Sequence, residues 1–249
     1  MAELRIVGSY LSPYVRKVLA CLDLKGLAYE IDPVVPFYGD ERFTQLSPLR
    51  RVPVLVDDSV TLADSMVICQ YLEDRYPTPA LYPADVADRA RARWLEEYAD
   101  SRMGDVFVWG LYNHAVIAPS VWGTPRDAAT IERIKQEDIP PVLDYLESQL
   151  PAQGFLFGTL GIADISIAVF LRNAAFARYG VEATRWPLTA GFVDRALAQE
   201  CLAKLQPFEA LMLRTPILEQ RAALAAAGAP VSADTVGGAV PRRGVMRLP

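Results

Sequence analysis

One short stretch carries side chains whose type and spacing suit chemistry. In SPYVRKVLACL, Ser12 precedes Pro13, and Val15, Val18, Leu19 and Leu22 follow at helical spacing. Serine before a helix-opening proline is a common N-cap. A capping box would place Glu or Gln three residues on, but Val15 stands there, followed by Arg16 and Lys17. No acid in the first turn neutralises this helix start. Its N–H groups and the positive end of its dipole therefore suit an anion. Ser12 is either a cap alone or a cap whose hydroxyl also meets a ligand, and the stretch by itself leaves both open. Elsewhere the chemical repertoire is narrow. The only histidine is His114, which leaves no His-rich metal site and reads as a packing residue. The three cysteines, Cys21, Cys69 and Cys201, are odd in number and far apart in sequence, as in a reduced cytoplasmic protein without disulfides. Cys21 and Cys69 fall inside helices, away from the helix starts that activate thiols, and read as small core residues.

The elements that must position Ser12 read as follows. Residues 4–10 form a short β-like run, 13–26 a helix stopped by Gly26, and 28–35 an alternating strand. Residues 40–48 are a short helix or loop, 52–63 a hairpin, and 64–77 a helix ended by Pro77. The order is β-α-β-α-β-β-α. Residues 78–87, TPALYPADVA, are a proline-containing linker. Beyond it the periodicity is helical. Long helices are expected over 88–117 and 125–150, the second kinked but not ended by Pro140 and Pro141. Residues 163–180 are apolar on nearly every side and predict a buried central helix, and 188–199 and 201–213 finish the bundle. Residues 215–249 are rich in Ala, Gly, Pro and Val and read as an extension.

Composition narrows the function classes. The chain has 249 residues, 52% hydrophobic and 22% charged, with a net charge of −5. That balance argues against nucleic acid as a main partner. No stretch reaches the roughly 18 uncharged apolar residues of a membrane span. The start, MAELRIVGSY, lacks the apolar core of a signal peptide.

Four stretches taken in order, SPYVRKVL (12–19), RRVPVLV (50–56), TLADSMVICQYLEDRYP (61–77) and FLFGTLGIADISIAVFL (155–171), resemble the cytosolic glutathione S-transferase family. The Ser-Pro-aromatic start is most similar to its serine-type, tau-like members. The resemblance implies an α/β plus all-α fold: a thioredoxin-like domain over 1–77, the linker 78–87, an all-helical domain over 88–214 and the extension 215–249. It implies glutathione as co-substrate, no metal, a homodimer and a cytoplasmic location. The implied activity is conjugation of the glutathione thiolate to a small apolar electrophile. The alternatives are a non-catalytic binding or regulatory protein on the same scaffold, or another glutathione-dependent reaction: disulfide reduction, ether cleavage, dehalogenation or isomerisation.

The resemblance assigns residues. Ser12 would donate a hydrogen bond to the thiolate. Pro53 would follow a cis peptide, turning the Val52 backbone towards the cysteinyl unit. Arg51 would reach the glycyl carboxylate, and Asp64 with Ser65 would hold the γ-glutamyl end. Acceptor-pocket candidates are Tyr10, Tyr14, Phe37, Trp109, Tyr112 and Asn113, and Tyr10 or Tyr14 could replace Ser12 at the thiolate. Two departures stand out. Asp64 occupies a position where the family usually has Glu, and Gly161 occupies the N-cap before Asp164 where the family usually has Ser or Thr. The extension is expected to pack along the helical domain or a partner subunit.

Overall fold

The computed structural model describes residues 4–244. The ends of the expected first domain and extension, 1–3 and 245–249, lie outside them. Residues 4–79 with 200–244 form one compact unit, and residues 80–199 form a second.

The first unit opens with the expected element order. β1 (Leu4–Val7), α1 (Pro13–Leu24) and β2 (Tyr29–Asp32) form a parallel crossover. A 3₁₀ turn (Pro36–Tyr38) and α2 (Glu41–Leu46) follow, then β3 (Val54–Val56), β4 (Thr61–Leu62) and α3 (Ser65–Arg75). The sheet order is β2-β1-β3-β4, with β3 antiparallel to β1 and β4 antiparallel to β3. Ile6, Val7, Val54 and Leu55 are fully buried, as are Val15, Val18, Leu19 and Leu22 of α1. The apolar stripe of α1 thus supplies the face that the sheet buries.

The second unit is all helical. α4 (Val86–Tyr98) is capped by Asp85 and continues without a break into a wide, π-type winding over Ala99–Ile117 and then α5 (Ala118–Trp122). The periodicity of 88–117 foretold one helix but not its pitch. α6 (Ala128–Arg133) runs through a wide turn, Ile134–Asp138, into α7 (Ile139–Gln149). Pro140 and Pro141 sit just after that wide turn, so the N–H groups they lack fall where the ordinary ladder is already interrupted. α8 (Ile162–Phe176) is the central helix, buried over most of its length, and α9 (Pro187–Leu197) packs on it.

The unusual Gly161 has a local reason. A Cβ there would stand 2.9 Å from the Leu81 carbonyl oxygen, closer than real contacts allow. That carbonyl accepts the Ile162 N–H at 3.0 Å. The preceding chain therefore caps α8 in place of a serine hydroxyl, and glycine admits the approach. Asp164 completes the start, accepting from Gly161 N at 3.0 Å and Leu156 N at 2.9 Å.

Burial pushes the Asp164 carboxyl up to about 6 from 3.8, against the pull of those N–H bonds. Because the folded-state value is raised, the folded chain binds more protons than the unfolded chain between those limits. Stability from this group is therefore full below about pH 4 and falls as pH rises through about 6. Asp164→Asn should remove that slope. The stability lead of the wild type over the variant, followed by urea unfolding, should shrink by about 2 kcal/mol between pH 4 and pH 7. A pH-independent difference would show that Asp164 ionises normally in the fold.

Residues 201–213, read as the end of the bundle, are split into α10 (Glu200–Ala203) and α11 (Gln206–Arg214), and α10 packs on α1. A 3₁₀ turn (Ile217–Glu219) and α12 (Gln220–Ala226) follow. Within the first unit the extension takes a course along the sheet that its composition did not announce. Its hydrogen bonds run to the outer edge of β2 and to residues 37–42, because an edge strand offers unpaired backbone groups that another strand can satisfy.

Candidate functional site

The N-terminus of α1 is built around Ser12. Its backbone is extended (φ −80°, ψ 125°), its Oγ accepts from Val15 N at 3.4 Å, and its carbonyl accepts from Arg16 N at 3.0 Å. Pro13 occupies the first helical position and no acid lies in the first turn. Ser12 is half-buried. A hydroxyl that accepts one bond keeps its own O–H to donate. Ser12 is therefore a cap, and the cap geometry leaves it able to serve a ligand as well.

The approach to Ser12 is held from two sides. Ser12 N donates to Ser9 O at 3.0 Å, and Leu11 N donates to Ser9 Oγ at 3.1 Å. Arg16, buried in α1, donates through Nη1 to Tyr10 O at 3.0 Å, and its Nε lies 3.3 Å from the buried carboxylate of Glu209 in α11. The sequence showed no acid for this helix start. Tertiary structure brings one to Arg16 from far along the chain, with no local pattern to announce it.

Gly8 lies at φ +153°. A Cβ on it would stand 2.5 Å from Val15 Cγ2 and 3.1 Å from Val52 Cβ. The end of β1, the first turn of α1 and the bend before β3 therefore converge on this glycine, which only a residue without a side chain allows. At that bend the Val52–Pro53 peptide is cis, as the resemblance implied. Val52 and Pro53 are buried, and Val54 pairs with Val7 of β1. Arg51 is exposed. Its backbone is fixed by Ser47, whose hydroxyl accepts from Arg51 N and donates to Arg51 O, both at 2.9 Å.

α3 starts with Asp64 as N-cap, its Oδ1 accepting from Val67 N at 3.1 Å, and with Ser65 buried at the first helical position. Two cross-links set α3 against α1. Cys21 and Cys69 meet at 3.7 Å between sulfurs, and Lys25 Nζ donates to Glu73 Oε2 at 2.7 Å. Both pairs are 48 residues apart, so the helices run side by side in the same direction. Counting back from the sulfurs, Ser12 lies nine residues before Cys21 and Ser65 four before Cys69. The two helix starts thus face the same end of the sheet, offset by about 8 Å along the axis at 1.5 Å per residue. Lys25 also donates to Tyr76 O and Pro79 O, which ties the ends of both helices together.

The expected acceptor residues scatter. Tyr10 is fully buried with its ring 5.1 Å from that of Phe208. Burial, then the neighbouring Tyr29 phenol, push its hydroxyl far above the ordinary tyrosine value, while burial raises Tyr29 to about 12. Tyr10 is therefore a neutral, buried phenol packed against Phe208. Tyr14 and Phe37 are half-buried in the first unit. Trp109, Tyr112 and Asn113 belong to the second unit, where Tyr112 is buried with its ring 6.2 Å from Phe176, Asn113 is buried and Trp109 is half-buried. The three cysteines are buried and not joined in disulfides, and burial followed by Cys21 raises the Cys201 thiol to about 12. Among the described residues no group of three His, Cys, Asp or Glu could hold a metal ion, and no helix is long and apolar enough to cross a membrane.

Sequence reasoning missed Arg50. It adopts φ +51°, and its guanidinium donates to Thr44 Oγ1 at 2.6 Å and Gly39 O at 2.7 Å. A left-handed arginine leaves no trace in a single sequence. Asp32, a fully buried carboxylate at the end of β2, was missed too, although an Asp-Pro pair closing a strand was a signal that could have drawn notice.

Comparison with known proteins places the chain's sequence and fold among relatives. Residues 6–80 match the family described as glutathione S-transferase, N-terminal domain, and residues 128–199 match glutathione S-transferase, C-terminal domain. The chain is 28% identical over 211 residues to the uncharacterized GST-like protein YibF of Escherichia coli K12, covering 82% of this chain and 98% of that one. It is 30% identical over 212 residues to a maleylacetoacetate isomerase of Pseudomonas aeruginosa, covering 82% and 96%. Among solved structures, a glutathione S-transferase from Rhodospirillum rubrum F11 superposes with a TM-score of 0.73 at 27% identity, covering 81% of this chain and 91% of that one.

Proposed function

The chain belongs to the glutathione S-transferase family, and from that premise we propose that it is a cytoplasmic, serine-type glutathione transferase that adds the glutathione thiolate to small apolar electrophiles. The observation that carries this reading is the pair of helix starts at one end of the sheet. Ser12 stands at one and Ser65 at the other, offset by about 8 Å along the axis. Side-by-side helices also stand about 8–10 Å apart, so the two starts are roughly 12 Å from each other, a gap for an extended tripeptide with its thiol at the first start and its γ-glutamyl carboxylate at the second.

Each residue then has a physical task. Ser65 and the α3 N-terminus bind the γ-glutamyl carboxylate, and Asp64 faces the γ-glutamyl ammonium while capping the helix. The Val52 backbone pairs with the cysteinyl unit, and Arg51 pairs with the glycyl carboxylate. The Ser12 O–H donates to the thiolate. A free thiol near pKa 8.5 is mostly protonated at neutral pH, and a hydrogen bond plus a helix dipole favour its ionised form. The thiolate sulfur forms a bond to the electrophilic carbon, and a leaving group departs or a proton is taken up. Ser12 keeps its proton throughout. Buried thiols outside any disulfide suit a reducing compartment, and the working form is taken to be the homodimer usual in the family.

A second reading, glutathione-dependent isomerisation, is favoured by the isomerase relative. There the thiolate adds and leaves again, so glutathione is not consumed. Retention on immobilised glutathione, followed by free-thiol titration and product analysis against a panel of halodinitrobenzenes, disulfides and cis-configured conjugated enediones, separates the readings. Conjugation consumes one thiol per turnover. Isomerisation converts substrate with thiol unchanged. Retention without any turnover would indicate a binding protein, and absence of both retention and thiol loss would overturn the glutathione reading.

A further inference from the structure

Residues 33–53 connect β2 to β3 with only a 3₁₀ turn and the short α2 between them. This connection carries Arg51 and Val52, so its position bears directly on the candidate site. Connections of that length in compact domains are uncommon without something to hold them. Here the holder is the C-terminal extension. Ile31 N donates to Pro230 O at 2.8 Å and Ser232 N donates to Ile31 O at 2.9 Å, so the extension adds to the outer edge of β2. It then turns over the connection. Asp40 N donates to Val236 O at 2.8 Å, Arg242 N donates to Phe37 O at 2.7 Å, and Arg42 Nη2 donates to Thr235 O at 2.6 Å. Arg242 also pairs with Glu41.

The anchor of this arrangement is Asp32. Its Oδ1 accepts from Thr235 Oγ1 at 2.7 Å and from Arg221 Nη1 at 3.0 Å, and its Oδ2 accepts from Val236 N at 2.7 Å. A fully buried carboxylate persists only where such donors surround it. Three of them come from the extension. The connection passes the restraint onward: Arg50 ties Gly39 and Thr44 to the residue next to Arg51, and Ser47 closes on Arg51 itself.

We propose that residues 229–244 act as a strap, locked by the positioning residue Asp32, that holds the 36–53 connection in its glutathione-binding place and so sets the affinity for glutathione. This rests on the glutathione reading above. The hydrogen bonds of the strap run to β2 and to the connection, so it acts on binding and leaves the Ser12 chemistry alone.

The test uses the full-length chain. The double variant Arg221→Gln/Thr235→Val removes two of the three donors that the extension gives Asp32. Hydrogen exchange should quicken over both 229–244 and 36–46. The dissociation constant for glutathione, by calorimetry, should rise about tenfold. Turnover at saturating glutathione should stay within about twofold of wild type. Should the double variant fail to fold, the near-isosteric Thr235→Val decides alone, with a rise of about threefold that Thr235→Ser restores. Faster exchange of the strap with unchanged glutathione affinity would overturn the inference and leave the glutathione reading intact. Lost turnover at saturation with unchanged affinity would overturn it as well. A wild-type chain that does not bind glutathione would overturn both.

Discussion

Ser12→Ala is expected to cut glutathione-dependent turnover at neutral pH by about tenfold or more while lowering stability by only about 1 kcal/mol. The two effects have separate causes. The stability loss comes from the cap bond to Val15 N, which at 3.4 Å is long and sits at the weak end of its class. The rate loss comes from the missing O–H donor. Without it, the pKa of bound glutathione should move back towards about 8.5, and the rate–pH profile should shift to higher pH with it. Titrating the bound thiolate by its ultraviolet absorbance measures that shift directly. Ser12→Cys sharpens the case. It should keep α1 largely intact, weaken conjugation and open mixed-disulfide exchange with glutathione, because a thiol at a helix N-terminus is activated. Tyr14→Phe and Tyr10→Phe are the controls. Tyr10 is buried and neutral, so its replacement should leave the pH profile in place. A Ser12→Ala variant that loses stability yet keeps rate and profile would reduce Ser12 to a cap.

Ser65→Ala is expected to raise the Michaelis constant for glutathione by roughly 10- to 100-fold, as loss of a hydrogen bond to a charged group costs about 1.5–3 kcal/mol. Turnover at saturation should change far less, because the γ-glutamyl end lies away from the reacting sulfur and its contact is made equally in ground and transition states. Asp64 and not Ser65 caps α3 through Val67 N, so the helix start should survive the change. This separates a binding effect from a folding effect, and an unaltered circular-dichroism melt is the check. Unchanged glutathione affinity in Ser65→Ala would remove the α3 start from the site. Asp64→Glu is the companion experiment. It restores the usual side-chain length of the family at that position and tests whether the shorter carboxylate limits binding.

How much of this was legible in the sequence follows from the range of the forces involved. The element order of the first 77 residues, the cap at Ser12 and the buried course of α8 were all readable, because periodicity, turn residues and helix caps act within a few residues of one another. The two prolines at 140 and 141 were rightly read as not ending their helix, since apolar spacing continued past them. The wide winding of Ala99–Ile117 was not readable, because the same apolar residues satisfy either pitch. Gly161 looked like a weakened cap. Only the approach of the Leu81 carbonyl explains why a side chain there would not fit.

The remaining decisions belong to tertiary structure. Nothing near Arg16 foretold Glu209, nothing near Asp32 foretold Arg221, Thr235 and Val236, and the parallel register of α1 and α3 emerged only from Cys21 meeting Cys69 and Lys25 meeting Glu73. The course of the extension along β2 was not foretold either, for the same reason. Its Ala, Gly and Pro residues carry no periodic signal, and its place is set by the unpaired edge of β2 and a buried carboxylate that needs donors. By itself the sequence determined which local elements form and which hydroxyls stand at their starts. The tertiary structure decided which of those starts share one end of the sheet and which distant segment holds the loop between them, because burial of a charge or an open strand edge is settled by whatever part of the chain can reach it in space.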